Sequence, residues 1–146
     1  RDRFKKELLR IPIFGWCIGS VGMIHIDRTQ RTEAWNKVAE QGQELMDRGK
    51  WVIMFPEGTR IERGKKGNYK SGATRLAVTT GAWIIPIAVT SARCWPRRSF
   101  SFIPGTIDVS IGQPVSADGR EPGELMDEVE RWIEAEMHRL DPQAYQ

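Results

Sequence analysis

The sequence predicts an α/β fold, with a mixed, largely parallel sheet flanked by helices. Three observations predict it. Three short apolar runs occur, at Met23 to Ile26, Trp51 to Phe55 and Trp83 to Val89. Helical patterns lie between them. Each run ends on polar or charged residues: Asp27-Arg28, Pro56-Glu57-Gly58 and Thr90-Ser91. Near-continuous apolar runs of this length suit strands buried on both faces, and their alternation with helices is the signature of βαβ units.

The first helix pattern carries Thr32 as a candidate cap, an apolar stripe of Trp35, Val38, Ala39, Leu45 and Met46, and Gly49 as its stop. The second starts at Ser71, runs through Ala73, Leu76 and Ala77, and stops at Gly81. Pro86 interrupts the third apolar run, so a bulge or a sheet edge is expected there. Ile107, Val109 and Ile111 then alternate with Asp108 and Ser110, which predicts a fourth strand with one wet face. A last amphipathic helix is expected from Pro122 to Leu140, with Leu125, Met126, Val129, Trp132, Ile133 and Met137 on one face and Pro142 beyond its end. Trp35, Trp51 and Trp132 read as core residues.

The 146 residues suit one domain with a real core, and 40% hydrophobic with 28% charged residues is a globular composition. The net charge of +3 is too small to argue for nucleic acid, so no nucleic-acid partner is expected. The basic residues cluster in three places: residues 1–10, residues 60–70, and Arg93, Arg97 and Arg98 around Trp95. With Trp16 and Trp95, these clusters fit a surface that faces anionic lipid headgroups. Cys17 and Cys94 have neither metal-ligand nor C-x-x-C spacing and read as buried thiols of a reducing compartment. Gly58 to Gly64 followed by Lys65-Lys66 fails the phosphate-loop pattern on spacing. The chain opens at Arg1, inside an amphipathic pattern, which reads as a cut in a longer protein.

Ligands of open α/β sheets gather beyond the carboxyl ends of the strands. That rule selects Arg28, the turn Glu57-Gly58-Thr59-Arg60, and Thr90-Ser91 with Arg93. Arginine presents a planar fork that matches phosphate oxygens. Gly58 permits close backbone approach, and Thr59 adds a hydroxyl. The residues therefore describe an anion site, or alternatively a turn tied down by a Glu57–Arg60 pair.

Phe55-Pro56-Glu57-Gly58-Thr59-Arg60 resembles the F-P-E-G-T-R motif of the glycerolipid acyltransferase family, which includes 1-acylglycerol-3-phosphate acyltransferases. Other blocks agree. Ile11 to Trp16 with Gly22 to Arg28 looks like the family's second motif and its lead-in. Tyr69-Lys70-Ser71-Gly72-Ala73 is similar to F-K-x-G-A, Ile85 to Val89 to the final P-V-type motif, and Ile111-Gly112-Gln113-Pro114 to I-G-x-P. The resemblance covers about Lys5 to Leu140 and implies the glycerolipid acyltransferase fold for a single, N-terminally truncated acyltransferase domain, 1–146. It implies transfer of a fatty acyl group from a thioester of coenzyme A or acyl carrier protein to lysophosphatidic acid, giving phosphatidic acid. Another lysophospholipid or glycerolipid acceptor, or a non-catalytic phospholipid-binding module, are the alternatives. The resemblance carries substrate binding to Arg28, Glu57, Gly58, Thr59 and Arg60, with Lys70 as a helper. It implies no cofactor or metal beyond the thioester co-substrate, and work at the cytoplasmic face of a membrane.

In that family a His and an Asp in N-H-x-x-x-x-D act as general base and its orienting partner. This chain has only His25 and His138, and the residues five beyond them are Gln30 and Gln143. Neither begins the dyad motif, which the resemblance places upstream of Arg1. His25 and Asp27 share a strand face by their i, i+2 spacing, but a hydrogen-bonded histidine is the favoured reading. Purified Arg1 to Gln146 is therefore expected to be inactive with lysophosphatidic acid and an acyl thioester. Clear turnover would mean that the base has been misplaced, and His25→Ala would locate it.

Overall fold

The computed structural model describes the backbone of residues 31–146 and the side chains of residues 39–146. The chain divides into two compact units, Arg1–Lys50 and Trp51–Gln146, and each is described by itself. The expected first strand lies outside the described residues, as do His25, Asp27 and Arg28.

In the first unit, helix α1 spans Arg31–Asp47. It starts before Thr32, so that residue falls in the first turn rather than at the cap. Gly49 ends the helix as expected, with φ +70°. Its N–H donates to the Met46 carbonyl at 2.8 Å, and that of Lys50 to Leu45 at 2.9 Å. This 6→1 and 5→2 pair of bonds is the left-handed ending that glycine makes without strain.

The second unit opens with an extended segment. Residues 51–55 pair with no strand among the described residues. Trp51, Ile53 and Phe55 are about 80% exposed, at 80%, 79% and 81%, which corrects the expectation of burial on both faces and of Trp51 as core. Val52 and Met54, pointing the other way, are half-buried. The segment thus packs on one side only.

Helix α2, Gly72–Thr80, ends at Gly81 with φ +68°. Ser71 occupies its cap position but makes no side-chain cap bond. Four short strands follow: β1 Trp83–Ile84, β2 Ile87–Val89, β3 Val109–Ile111 and β4 Val115–Ser116. They form two antiparallel pairs, β1 with β4 and β2 with β3. The helices with small sheets are of the expected α/β kind, and the pairings among the described residues are the antiparallel part of the mixed sheet. The break between β1 and β2 falls at Pro86, as its missing N–H requires. There Gly112 N–H donates to the Pro86 carbonyl at 2.9 Å and holds the two halves of the ribbon together.

Helix α3, Pro122–Leu140, has the expected bounds. Glu121 caps it, its Oε2 accepting from Gly123 N at 2.6 Å and Glu124 N at 3.1 Å. Leu125, fully buried, forms the core with Ala77 and Ala117, and Val78, Ala82, Ile84 and Val115 pack around them. Thr74, also fully buried, donates from Oγ1 to the Pro122 carbonyl at 2.6 Å and fastens α2 to the start of α3.

The fourth strand reverses the expected polarity. Val109 and Ile111 are open to solvent, while Ser110 is half-buried and donates from Oγ to Glu136 of α3 at 2.5 Å. Its register partner Ala88 is 1% exposed, and Ile87 and Val89 lie on the open side. The helix packs on the side with small residues because only there can it come close. A Cβ on Gly112 would stand 2.8 Å from the Trp132 ring and 2.8 Å from Pro86.

Asp141, just past α3, is buried at 3% exposure. Arg63 grips it with both arms, Nε to Oδ2 at 2.7 Å and Nη2 to Oδ1 at 2.8 Å. Arg93 Nη2 reaches Oδ1 at 3.3 Å and donates to the Leu140 carbonyl at 3.0 Å. Arg93 also donates to Asp108 at 2.8 Å. The hydrogen bond from Arg63 leads in holding the Asp141 carboxyl down to about 2, against an ordinary 3.8. A depressed carboxyl contributes stability that is present above its unfolded value and lost as pH falls through the folded one. Asp141→Asn is therefore expected to lower the melting temperature by about 10 °C at neutral pH. The gap from wild type should stay constant above roughly pH 5 and close between about 4 and 2. A gap that persists unchanged at the lowest pH would show that packing, not charge, is responsible.

Candidate functional site

The six-residue motif forms a turn at the end of the extended segment. Gly58 N–H donates to the Phe55 carbonyl at 3.0 Å, and Gly58 has φ +66°. That conformation strains any residue with a Cβ. Lys70 closes the turn from the other side: its N–H donates to the Pro56 carbonyl at 3.0 Å. Its ammonium lies 3.2 Å from where a Cβ of Gly58 would be. The structure thus brings Lys70 to Gly58, with both exposed. Neither the Thr59 nor the Arg60 amide makes a backbone hydrogen bond among the described residues, and both residues are exposed, beside a cation. That set suits an anion.

Arg60 lies over the Trp95 ring, its Cζ 4.2 Å from the centroid. Among the described residues no carboxylate comes within ion-pair distance of it, so the Glu57–Arg60 pair is not formed. A cation over a ring at an exposed site contributes roughly 0.5–1 kcal/mol, and it does not use the N–H donors that a guanidinium offers to an anion. The sequence pointed to Trp95 only as an interfacial residue. Its contact with Arg60, 35 residues away by 95 − 60, has no local signal.

Glu57 behaves differently. It is half-buried, and its Oε1 lies 2.6 Å from where a Cβ of Gly67 would be. Burial, then the nearby Glu134 charge, push its carboxyl above the usual range. Tyr69 beside it donates to Glu134 at 2.9 Å, and burial first, then this bond, push its hydroxyl far up. Lys66 pairs with Glu130 at 2.5 Å. The loop after the motif is thus stitched to α3 through Arg63, Lys66 and Tyr69. Arg93, selected by the strand-end rule, is fully engaged with carboxylates and serves the scaffold. Thr90 does likewise: it is 1% exposed, and its Oγ1 accepts from Asp108 N at 2.8 Å. Arg28 lies outside the described residues.

The Acyltransferase family model matches residues 3–90, which include the motif turn and Lys70. A 1-acyl-sn-glycerol-3-phosphate acyltransferase of Pseudomonas aeruginosa is 40% identical over 141 residues, 94% of this chain and 55% of that protein. The alpha form of the mouse enzyme of the same name is 35% identical over 124 residues, 83% of this chain and 43% of that protein. Among solved structures, the 1-acyl-sn-glycerophosphate (LPA) acyltransferase PlsC of Thermotoga maritima superposes with a TM-score of 0.78 at 28% identity, covering 92% of this chain and 54% of that one. The chain spans about half the length of the relatives it matches.

A raised carboxyl disfavours folding at every pH above its folded value, and the penalty vanishes below the unfolded 4.5. Glu57→Gln is therefore expected to raise the melting temperature at pH 7 to 8, with the gain fading as pH falls to about 4. Thermal melts across that range check it; a variant less stable than wild type at pH 7 would show that the carboxylate is satisfied in the fold.

Proposed function

We propose, on the premise that this chain belongs to the acyltransferase family, that the protein moves a fatty acyl group from a thioester to lysophosphatidic acid. The acceptor hydroxyl oxygen bonds to the thioester carbonyl carbon, the carbon–sulfur bond breaks, and the thiol leaves with the proton that the base removed from the hydroxyl. Coenzyme A or acyl carrier protein supplies the thioester. The product is phosphatidic acid, as the names of the Pseudomonas and mouse relatives suggest. Acceptor and product are both lipids, which supports a reaction at a membrane surface, and the resemblance of the motifs favours its cytoplasmic face.

The observation that carries this reading is the state of Arg60. It stands in an exposed turn over a ring, with no carboxylate at ion-pair distance among the described residues. With it are Lys70 and the amides of Thr59 and Arg60, which make no backbone bond among the described residues. These are the groups that bind a phosphomonoester. The resemblance of its motif assigns Arg28 to phosphate binding as well. The base belongs to the family's His/Asp dyad, which no residues of this chain spell.

A charge-assisted bond from Arg60 to the acceptor phosphate is worth roughly 1.5–3 kcal/mol, or about one to two decades in affinity. In the full-length enzyme, Arg60→Ala is expected to raise KM for lysophosphatidic acid by that factor. It should change KM little for an acceptor without phosphate, and leave the melting temperature near normal. Arg60→Lys keeps the charge without the fork and should restore part of the loss. If the KM ratio of the two acceptors stays constant while stability falls, Arg60 is structural and the phosphate site must centre on Arg28.

A further inference from the structure

The loop 94–107 has a composition that the fold does not explain. Its fourteen residues include Arg97 and Arg98 and no Asp or Glu. Its base is pinned: Ile103 N–H donates to the Cys94 carbonyl at 2.8 Å, and Cys94 is buried. Its tip is braced from within. Trp95 Nε1 donates to the Ser99 carbonyl at 3.0 Å, Ser101 N–H donates to Ser99 Oγ at 3.0 Å, and the Trp95 and Phe102 rings lie 4.9 Å apart. This bracing presents apolar groups outward: Phe100 is wholly exposed and Phe102 is 69% exposed. Arg97 and Arg98 line a cleft of about 390 Å³ beside the loop, together with Glu62, whose carboxylate is paired to Lys65 at 2.8 Å. Among the described residues, no carboxylate lies within ion-pair distance of Arg97 or Arg98.

We infer that this loop docks on an anionic lipid bilayer, with Phe100 and Phe102 entering the acyl region and Arg97 and Arg98 at the level of the headgroups. The inference rests on the lysophospholipid reading above and names the surface through which that site meets its substrate. Aromatic rings beside two arginines, on a loop without an acid of its own and with the one carboxylate of the cleft, Glu62, paired to Lys65, complement a negatively charged interface. Two exposed phenylalanines need an apolar medium rather than more water. Arg60 stacks on Trp95 at the root of the loop, so an inserted loop leaves the motif turn at headgroup depth, where a lysolipid carries its phosphate.

The test uses the full-length protein and flotation on two kinds of vesicle: phosphatidylcholine alone, and roughly three parts phosphatidylcholine to one part phosphatidylglycerol. Phe100→Ser with Phe102→Ser is expected to lower partitioning onto both by at least about tenfold. Arg97→Gln with Arg98→Gln should lower it by about tenfold on the anionic vesicles only, and Phe100→Trp with Phe102→Trp should bind as wild type does. Turnover of a short-chain, monomeric lysophosphatidic acid without vesicles should survive in every variant. Unchanged flotation of the serine variant overturns the proposal, as does failure of the tryptophan variant to bind while that turnover persists. So does wild-type flotation combined with a selective loss of turnover from an acyl carrier protein donor, which would assign the loop to an acidic protein. If wild type turns over no acceptor at all, the acyl-transfer reading fails, while flotation still decides the fate of the loop.

Discussion

The carboxylate of Asp141 holds the second unit's loops in place. It sits at the end of α3, almost without solvent, and receives Arg63 from the loop after the motif and Arg93 from the end of the β2 strand. Arg93 passes the constraint on to Asp108, at the entry of β3. Removing one partner of such a cluster leaves charge without compensation in a dry place, which costs far more than the pair contributes over a well-packed apolar substitute. The loop that follows the motif and the loop 94–107 therefore both hang from one point. Arg60 and Trp95, which meet across those two loops, can do so because their roots are fixed on the same helix end.

The sheet obeys a second constraint. Helix α3 needs a surface it can approach, and the ribbon offers Ala88, Ser110 and Gly112 on one side. The branched residues Ile87, Val89, Val109 and Ile111 consequently fall on the other. Small residues inward and large ones outward is the reverse of the usual half-buried strand. Here close approach of the helix, measured by the lack of room for any Cβ at Gly112, outweighs the burial of larger side chains on that face.

Local signals read well from the sequence. Gly49 and Gly81 stop helices because a left-handed residue must follow them, and Pro122 starts one because its missing N–H is not needed there. The motif turn was legible because six residues stand in order after an apolar run, with Gly58 in the one conformation that demands glycine. What failed depends on partners distant in sequence. Arg63 and Asp141 are 78 residues apart, and Arg93 and Asp108 are 15. No periodicity reports such pairs, so Arg93 read as a phosphate ligand when it is scaffold. Hydrophobic alternation fixes that a strand has two faces, not which of them the helix covers. The strand after Pro86 that carries Val109 and Ile111 accordingly came out with its polarity reversed, and Trp51 came out exposed.

Glu57 shows how the turn is divided between stability and chemistry. Its carboxyl is pushed up by burial and by Glu134, with no described cation near enough to pair with it. A fold selected for stability alone would place an amide or an apolar group there, since a half-buried charge without a partner is unfavourable. The same turn keeps its cations, Lys70 and Arg60, clear of every described carboxylate, although Glu57 is only three residues from Arg60. Both choices have one effect: positive charge remains on exposed residues of the turn, and the negative charge is half-buried near Glu134 of α3. Pairing Glu57 with Arg60 would relieve the carboxylate and occupy the guanidinium in one step. That the structure keeps them apart is the physical reason to read the turn as a binding surface rather than as a stitched corner.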